Sequence, residues 1–107
     1  MAASQTIKQL ESARGLALSD GLYYPSIIPG VLPIIGANAE IEIRRWGAEF
    51  LAEAFSSPTW SADAKKDVCL SVLPTLKEYL EMGEDRGLVK SAVQAAASIY
   101  PLVYKHM

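Results

Sequence analysis

Cysteine and histidine are almost missing from this chain: Cys69 and His106 each stand alone among 107 residues. One thiol makes no internal disulfide and suits a reducing compartment. One Cys and one His also fall short of the three or four ligands a zinc site needs. A histidine base needs a nucleophile and an orienting partner within reach, so a lone His106 near the end reads as a solvated side chain. Cys69 has no CxxC neighbour and falls on the apolar side of a helical segment, the pattern of a buried, inert thiol. Neither a GxxxxGK(S/T) nor a GxGxxG phosphate loop is present.

Basic charge is also in short supply. Ten Lys and Arg face twelve Asp and Glu, a net charge of −2. General nucleic-acid binding needs clustered cations to displace counterions, so direct contact with RNA or DNA is not expected. The longest apolar run, Ile27 to Ile35, is broken by Pro29, Gly30 and Pro33, well short of the roughly 20 residues of a membrane span. Met1 to Thr6 shows no basic and apolar tract of a signal peptide. These absences point to a soluble intracellular domain with no cofactor, no metal and no catalytic activity.

What is there is apolar and helical. Half the residues are hydrophobic and 21% are charged, enough to bury one core. No segment alternates at period two, so the expected class is all-α, with five helices. The first covers 6–18, with Ile7, Leu10, Ala13 and Ala17 on one face, and Asp20-Gly21 ends it. The second covers 24–35 and carries Pro25, Pro29 and Pro33, which predict a short, bent or partly 3₁₀ segment. Gly36-Ala37-Asn38 is a tight turn. The third, 39–55, has the clearest stripe: Ile43, Trp46, Gly47, Phe50, Leu51 and Ala54. On its other face Glu40 with Arg44, and Arg45 with Glu49, lie one turn apart and can pair for a few tenths of a kcal/mol.

Ser61 caps the fourth helix, 61–82, with Asp63 in its first turn and Pro74 bending it. Its inward residues are Val68, Cys69, Val72, Leu76, Tyr79 and Leu80. Gly83 to Gly87 is a linker. The fifth helix, 88–105, is expected to bury Val89, Ala92, Val93, Ala96, Tyr100 and Val103, with Ala95, Ala96 and Ala97 letting a neighbour approach closely.

The chain repeats itself. Val31-Leu32-Pro33 recurs as Val72-Leu73-Pro74, an offset of 41 residues, and Ile43-Arg44 recurs as Val89-Lys90, an offset of 46. Two helices per unit with a period of roughly 40 to 47 residues is the pattern of HEAT and armadillo arrays. The proline-bent first helix and the basic Arg44 and Lys90 near the start of each second helix favour HEAT. The acidic turn residue of that pattern is absent, with Asn38 nearest to it. A helix pair cannot cover its own apolar face, so the expectation is a fragment of a longer HEAT-type α-solenoid. A stand-alone five-helix bundle is the alternative.

The run YYPSIIPGVLPIIG from Tyr23 to Gly36, then IRRWGAEFLAE from Ile43 to Glu53, resembles the N-terminal domain of the symplekin family, closest to its fungal members. VKSAVQ at Val89 to Gln94 and ASIYPLV at Ala97 to Val103 look like the same family's next helix, and the likeness runs from Gln9 to His106. The resemblance implies a HEAT domain in a much longer nuclear scaffold of the pre-mRNA cleavage and polyadenylation machinery. It implies other subunits of that machinery as partners, and docking of a phosphatase that acts on the RNA polymerase II C-terminal domain. It carries no catalytic residues.

A partner surface would draw on Arg44, Arg45, Glu49, Lys90 and Gln94, on or near the second helix of each pair, the face that commonly lines the inside of a solenoid. Trp60, in the loop between the pairs, is the other candidate; it either anchors a partner or folds onto the core. Two other readings stay open: a HEAT-type adaptor in transport or trafficking, and a small helical-bundle ligand binder with a polar cavity near Cys69 or His106.

Overall fold

A computed structural model describes residues 3–36, 39–82 and 85–104, and among these every regular element is helical. The helices are α1 (Ala3–Ser19), α2 (Tyr24–Val31), α3 (Ile41–Ser56), α4 (Ala62–Met82) and α5 (Arg86–Tyr104). The readings made of Ala37, Asn38, Gly83, Glu84, Lys105 and His106 lie outside the described residues, as does the side chain of Val103.

Local chemistry explains where the helices start and stop. Asp20 follows α1, and its Oδ1 accepts from the Leu22 amide at 3.0 Å, opening a 3₁₀ turn over Gly21–Tyr23. A Cβ on Gly21 would lie 2.2 Å from Thr59 Oγ1, so only glycine lets this turn meet the loop between α3 and α4. Pro25 sits harmlessly in the first turn of α2, whereas Pro29 cannot donate within it. The helix is accordingly eight residues long and closes in turns, with the Ile34 and Ile35 amides donating to the Val31 carbonyl at 2.9 and 3.1 Å. Burial holds it in place: Tyr24, Ile28, Val31 and Ile35 are at most 4% exposed.

Helix α3 ends where Ser57, the residue before Pro58, turns to extended backbone. Ser61 caps α4 as expected, its Oγ accepting from the Ala64 amide at 3.1 Å. The fifth helix starts at Arg86, ahead of the expected Leu88, because Asp85 is its cap: Oδ1 accepts from the Leu88 amide at 2.9 Å.

Packing centres on α3. It lies along α5 over the longest interface, α4 packs back on α5, and α2 packs on α4, while α1 covers α3 and α2. The 41-residue offset holds in the burial pattern of the first helices: Ile28, Val31 and Ile35 match Cys69, Val72 and Leu76, all buried. The close approach of Ile35 and Tyr79 to α3 occurs at Gly47, where a Cβ would lie 2.7 Å from Ile35 and 2.9 Å from Tyr79 Oη. The Tyr79 hydroxyl donates to the Ile35 carbonyl there, tying α4 to the turn that follows α2.

Two expectations about inward faces need correction. Leu80 is 39% exposed rather than buried. In α5 the buried residues are Leu88, Ala92, Ala95 and Ile99, while Val93 and Tyr100 are more than half exposed. The helix carries two apolar faces at helical spacing, and close packing against α3 selects the one with small Ala92 and Ala95 at its centre. The other face is left uncovered among the described residues.

Candidate partner-binding surface

Between α3 and α5 runs an open groove of about 540 Å³, lined on the α3 side by Glu49, Ala52 and Glu53 and on the α5 side by Ser91, Gln94 and Ala97. Small Ala52 and Ala97 hollow it, and the polar side chains stand beside them. Both walls are helices seated on the shared core, so these positions are fixed by packing rather than by a loop.

The α3 wall is braced from α1. Arg14 donates from Nε to Glu53 Oε2 at 2.7 Å and from a second nitrogen to Oε1 at 2.9 Å, a two-pronged grip. The Glu53 carboxylate, together with Glu11, raises the Arg14 pKa above its already high value. Glu11 accepts from Arg14 at 3.2 Å and from the Trp46 indole at 2.5 Å, so one acid ties α1 to the apolar stripe of α3. Glu49 lies beside this clamp, lining both the groove and a smaller hollow of about 220 Å³ with Glu11 and Arg14. Among the described residues Glu49 is exposed and has no ion-pair partner, which leaves its carboxylate available.

The six residues singled out from the sequence separate into three groups. Glu49 and Gln94 face each other across the groove, and Lys90 is exposed one turn before Gln94. Arg45 is exposed, but its guanidinium closes on Asp85 rather than Glu49, with Nε donating at 2.9 Å. That ion pair and the Leu88 amide hold the Asp85 carboxyl below its ordinary range.

Arg44 and Trp60 form the third group, and both are interior. Arg44 is 8% exposed, with Nε donating to the Ala39 carbonyl at 3.0 Å. Trp60 is 4% exposed, stacks on Tyr24 with ring centres 5.1 Å apart, and donates from Nε1 to the Ala54 carbonyl at 2.6 Å. Lys65 lies 5.9 Å over the indole and donates to the Ser57 carbonyl at 2.6 Å. Trp60 therefore folds onto the core and caps the end of α3, so it offers no anchor at the surface.

Sequence spacing singled out neither Arg14 nor Glu11, and it placed Asp85 in a linker. Asp85 had a signal, a capping residue three positions before the first apolar residue of a helix. The α1 clamp had none, because its partners are 35 and 39 residues apart. Cys69 is buried, its Sγ against the Lys66 carbonyl at 3.2 Å, and burial pushes the thiol pKa up, away from the reactive thiolate. Among the described residues no three His, Cys, Asp or Glu side chains are placed to hold a metal ion, and no helix is long and apolar enough to cross a membrane.

One curated protein resembles the chain along most of its length. It is the mRNA cleavage and polyadenylation specificity factor complex subunit pta1 of Schizosaccharomyces pombe, 27% identical over 100 residues. The similarity covers 94% of this chain but only 15% of that protein. No protein-family profile matches the chain, and no solved structure matches it.

Proposed function

We propose that the chain is a non-catalytic, HEAT-type docking module of a scaffold subunit in nuclear pre-mRNA 3′-end cleavage and polyadenylation. The observation that carries this reading is the similarity to pta1 along nearly the whole chain, together with the symplekin-like segments from Tyr23 to Glu53. Two contacts that a stack of helix pairs requires are present, α2 on α4 and α3 on α5, although α2 and α3 share no substantial interface with each other.

The mechanism is display. The α3–α5 groove holds Glu49 and Gln94 on opposite walls, and Lys90 is exposed on α5 one turn before Gln94. A partner that meets this surface finds the backbone positions already set by helix packing, and it orders the exposed side chains on binding. The partners in this reading are other subunits of the cleavage and polyadenylation machinery, and a phosphatase of the RNA polymerase II C-terminal domain is the one proposed to dock on the domain. The Arg14–Glu53 clamp then serves to hold the α3 wall rather than to bind.

Affinity purification of the native protein from nuclear extract tests the assignment. Recovery of 3′-end processing subunits and of the polymerase-tail phosphatase is expected. Reproducible recovery of transport or trafficking factors alone contradicts it and favours a different adaptor role.

A further inference from the structure

Two polar side chains in the α3–α5 groove stand without a partner among the described residues, the Glu49 carboxylate and the Gln94 amide. Groups beside them are already engaged. Ser98 donates to the Gln94 carbonyl at 3.2 Å and Ser56 to the Glu53 carbonyl at 3.1 Å, while Arg14 takes both oxygens of Glu53. What the groove leaves open is one anion on α3 and one amide on α5, facing each other over small Ala52 and Ala97.

The charge around Glu49 has one sign. The groove lining contains Glu49 and Glu53 but no Lys or Arg. The smaller hollow that shares both acids adds Glu11 and Arg14, so the two together hold three carboxylates and one guanidinium, a net charge of −2. Arg14 is shared between Glu53 and Glu11 and makes no ion pair with Glu49. Lys90 is exposed one turn before Gln94 but outside the lining, and Arg45 is held by Asp85. A carboxylate flanked by two more, with no cation of its own, attracts one from outside. The Gln94 amide both donates and accepts, which matches the N–H and C=O of a peptide unit. A helix keeps those backbone groups for itself, whereas an extended segment presents them.

We propose that the α3–α5 groove takes an extended segment of a partner protein that carries an arginine or lysine, with the side-chain cation on Glu49 and the segment's backbone against Gln94. The proposal rests on the reading of this groove as the docking surface and names the chemistry of what docks there. Acidic segments, phosphorylated ones included, meet Glu11, Glu49 and Glu53 as like charges and are disfavoured.

Peptide titration followed by amide NMR of the chain tests the proposal. The probes are three peptides of one Gly-Ser-Ala backbone that carry arginine, its neutral isostere citrulline, or glutamate at the same central position. The arginine peptide is expected to shift the amides of Glu49, Ser91, Gln94 and Ala97. It is expected to bind about three- to fivefold more tightly than the citrulline peptide, the range of one solvent-exposed ion pair. That margin is expected to shrink with added salt and to vanish in Glu49→Gln, while Glu49→Lys is expected to favour the glutamate peptide. Both variants are expected to keep the helical circular dichroism, since Glu49 is exposed. Equal affinities for the arginine and citrulline peptides, or tighter binding of the glutamate peptide to the unaltered chain, overturn the proposal. Shifts confined to other faces, or none in the groove at about millimolar peptide, overturn it too. Loss of processing subunits from a folded Glu49→Lys plus Gln94→Lys protein, beside equal arginine and citrulline affinities, defeats this inference alone. Arginine-dependent groove binding beside undiminished recovery of those subunits defeats the functional reading alone.

Discussion

Arg45, near the start of α3, holds Asp85, the residue that caps α5. One carboxylate thus performs two tasks: Oδ1 accepts from the Leu88 amide and Oδ2 takes the guanidinium. Helices α3 and α5 are thereby tied together at their N-terminal ends, beside the groove they line.

The pH dependence follows from that arrangement. Both contacts favour the charged form of Asp85 and lower its folded-state pKa below the ordinary 3.8. Its contribution to stability is therefore complete above the unfolded value and is lost as pH falls through the lower folded value. In acid titrations followed by circular dichroism, Asp85→Asn is expected to flatten the loss of stability below about pH 4. Asp85→Ala, which also removes the cap, is expected to destabilise more than Asp85→Asn at neutral pH. Equal midpoints for the two variants would refute the capping role.

Two glycines should respond in opposite directions to alanine. Nothing lies within 4 Å of a Cβ added at Gly15, in the middle of α1, so Gly15→Ala is expected to stabilise by about 0.5–1 kcal/mol. At Gly47 the added carbon meets Ile35 and the Tyr79 hydroxyl, and overpacking is expected to cost about 1–3 kcal/mol. Urea unfolding of the pair measures both. A stabilising Gly47→Ala would contradict the close contact between α3 and Ile35.

Trp60 is a structural residue in this account. Trp60→Ala is expected to cost about 3–5 kcal/mol, while Trp60→Phe keeps most of the stacking on Tyr24 and gives up the hydrogen bond to Ala54. The Phe variant is expected to bind partners with wild-type affinity in a pull-down. Lost binding by a Trp60→Phe protein of native circular dichroism would restore the residue to the interface.

The Arg14–Glu53 pair is two-pronged, with each side chain only about one-third exposed, and bridges α1 to α3. A double-mutant cycle with Arg14→Ala and Glu53→Ala is expected to give a coupling of about 1 kcal/mol, at the upper end for pairs near the surface. A coupling indistinguishable from zero would show that the core of Leu10 and Ala17 alone holds α1 in place.

The sequence was most readable where one local rule acted alone. The prolines of α2 predicted a short, bent or partly 3₁₀ segment, Ser61 predicted a cap, and the stripe from Ile43 to Ala54 predicted the inward face of α3. It was least readable where two patterns competed. In α5 the residues Leu88, Ala92, Ala95 and Ile99 and the residues Val89, Val93, Ala96 and Tyr100 both recur at helical spacing, so periodicity alone could not choose the inner face. Fit against α3 chose it. Glu49 and Gln94, chosen for their places on α3 and α5, line one groove between those helices. Arg44 was expected there too, and Trp60 was open between a surface anchor and the core; both are buried, each donating to a backbone carbonyl, Ala39 for Arg44 and Ala54 for Trp60. Long side chains with a polar end can be drawn inward in this way, and sequence spacing does not reveal it.

The most direct test of the account is partner recovery by a groove variant. Full-length protein carrying Glu49→Lys and Gln94→Lys should keep its helical circular dichroism, since both side chains are exposed, and recover the polymerase-tail phosphatase or 3′-end processing subunits at least about tenfold less well. Undiminished recovery by that folded variant would contradict the assignment of the α3–α5 groove as the docking surface.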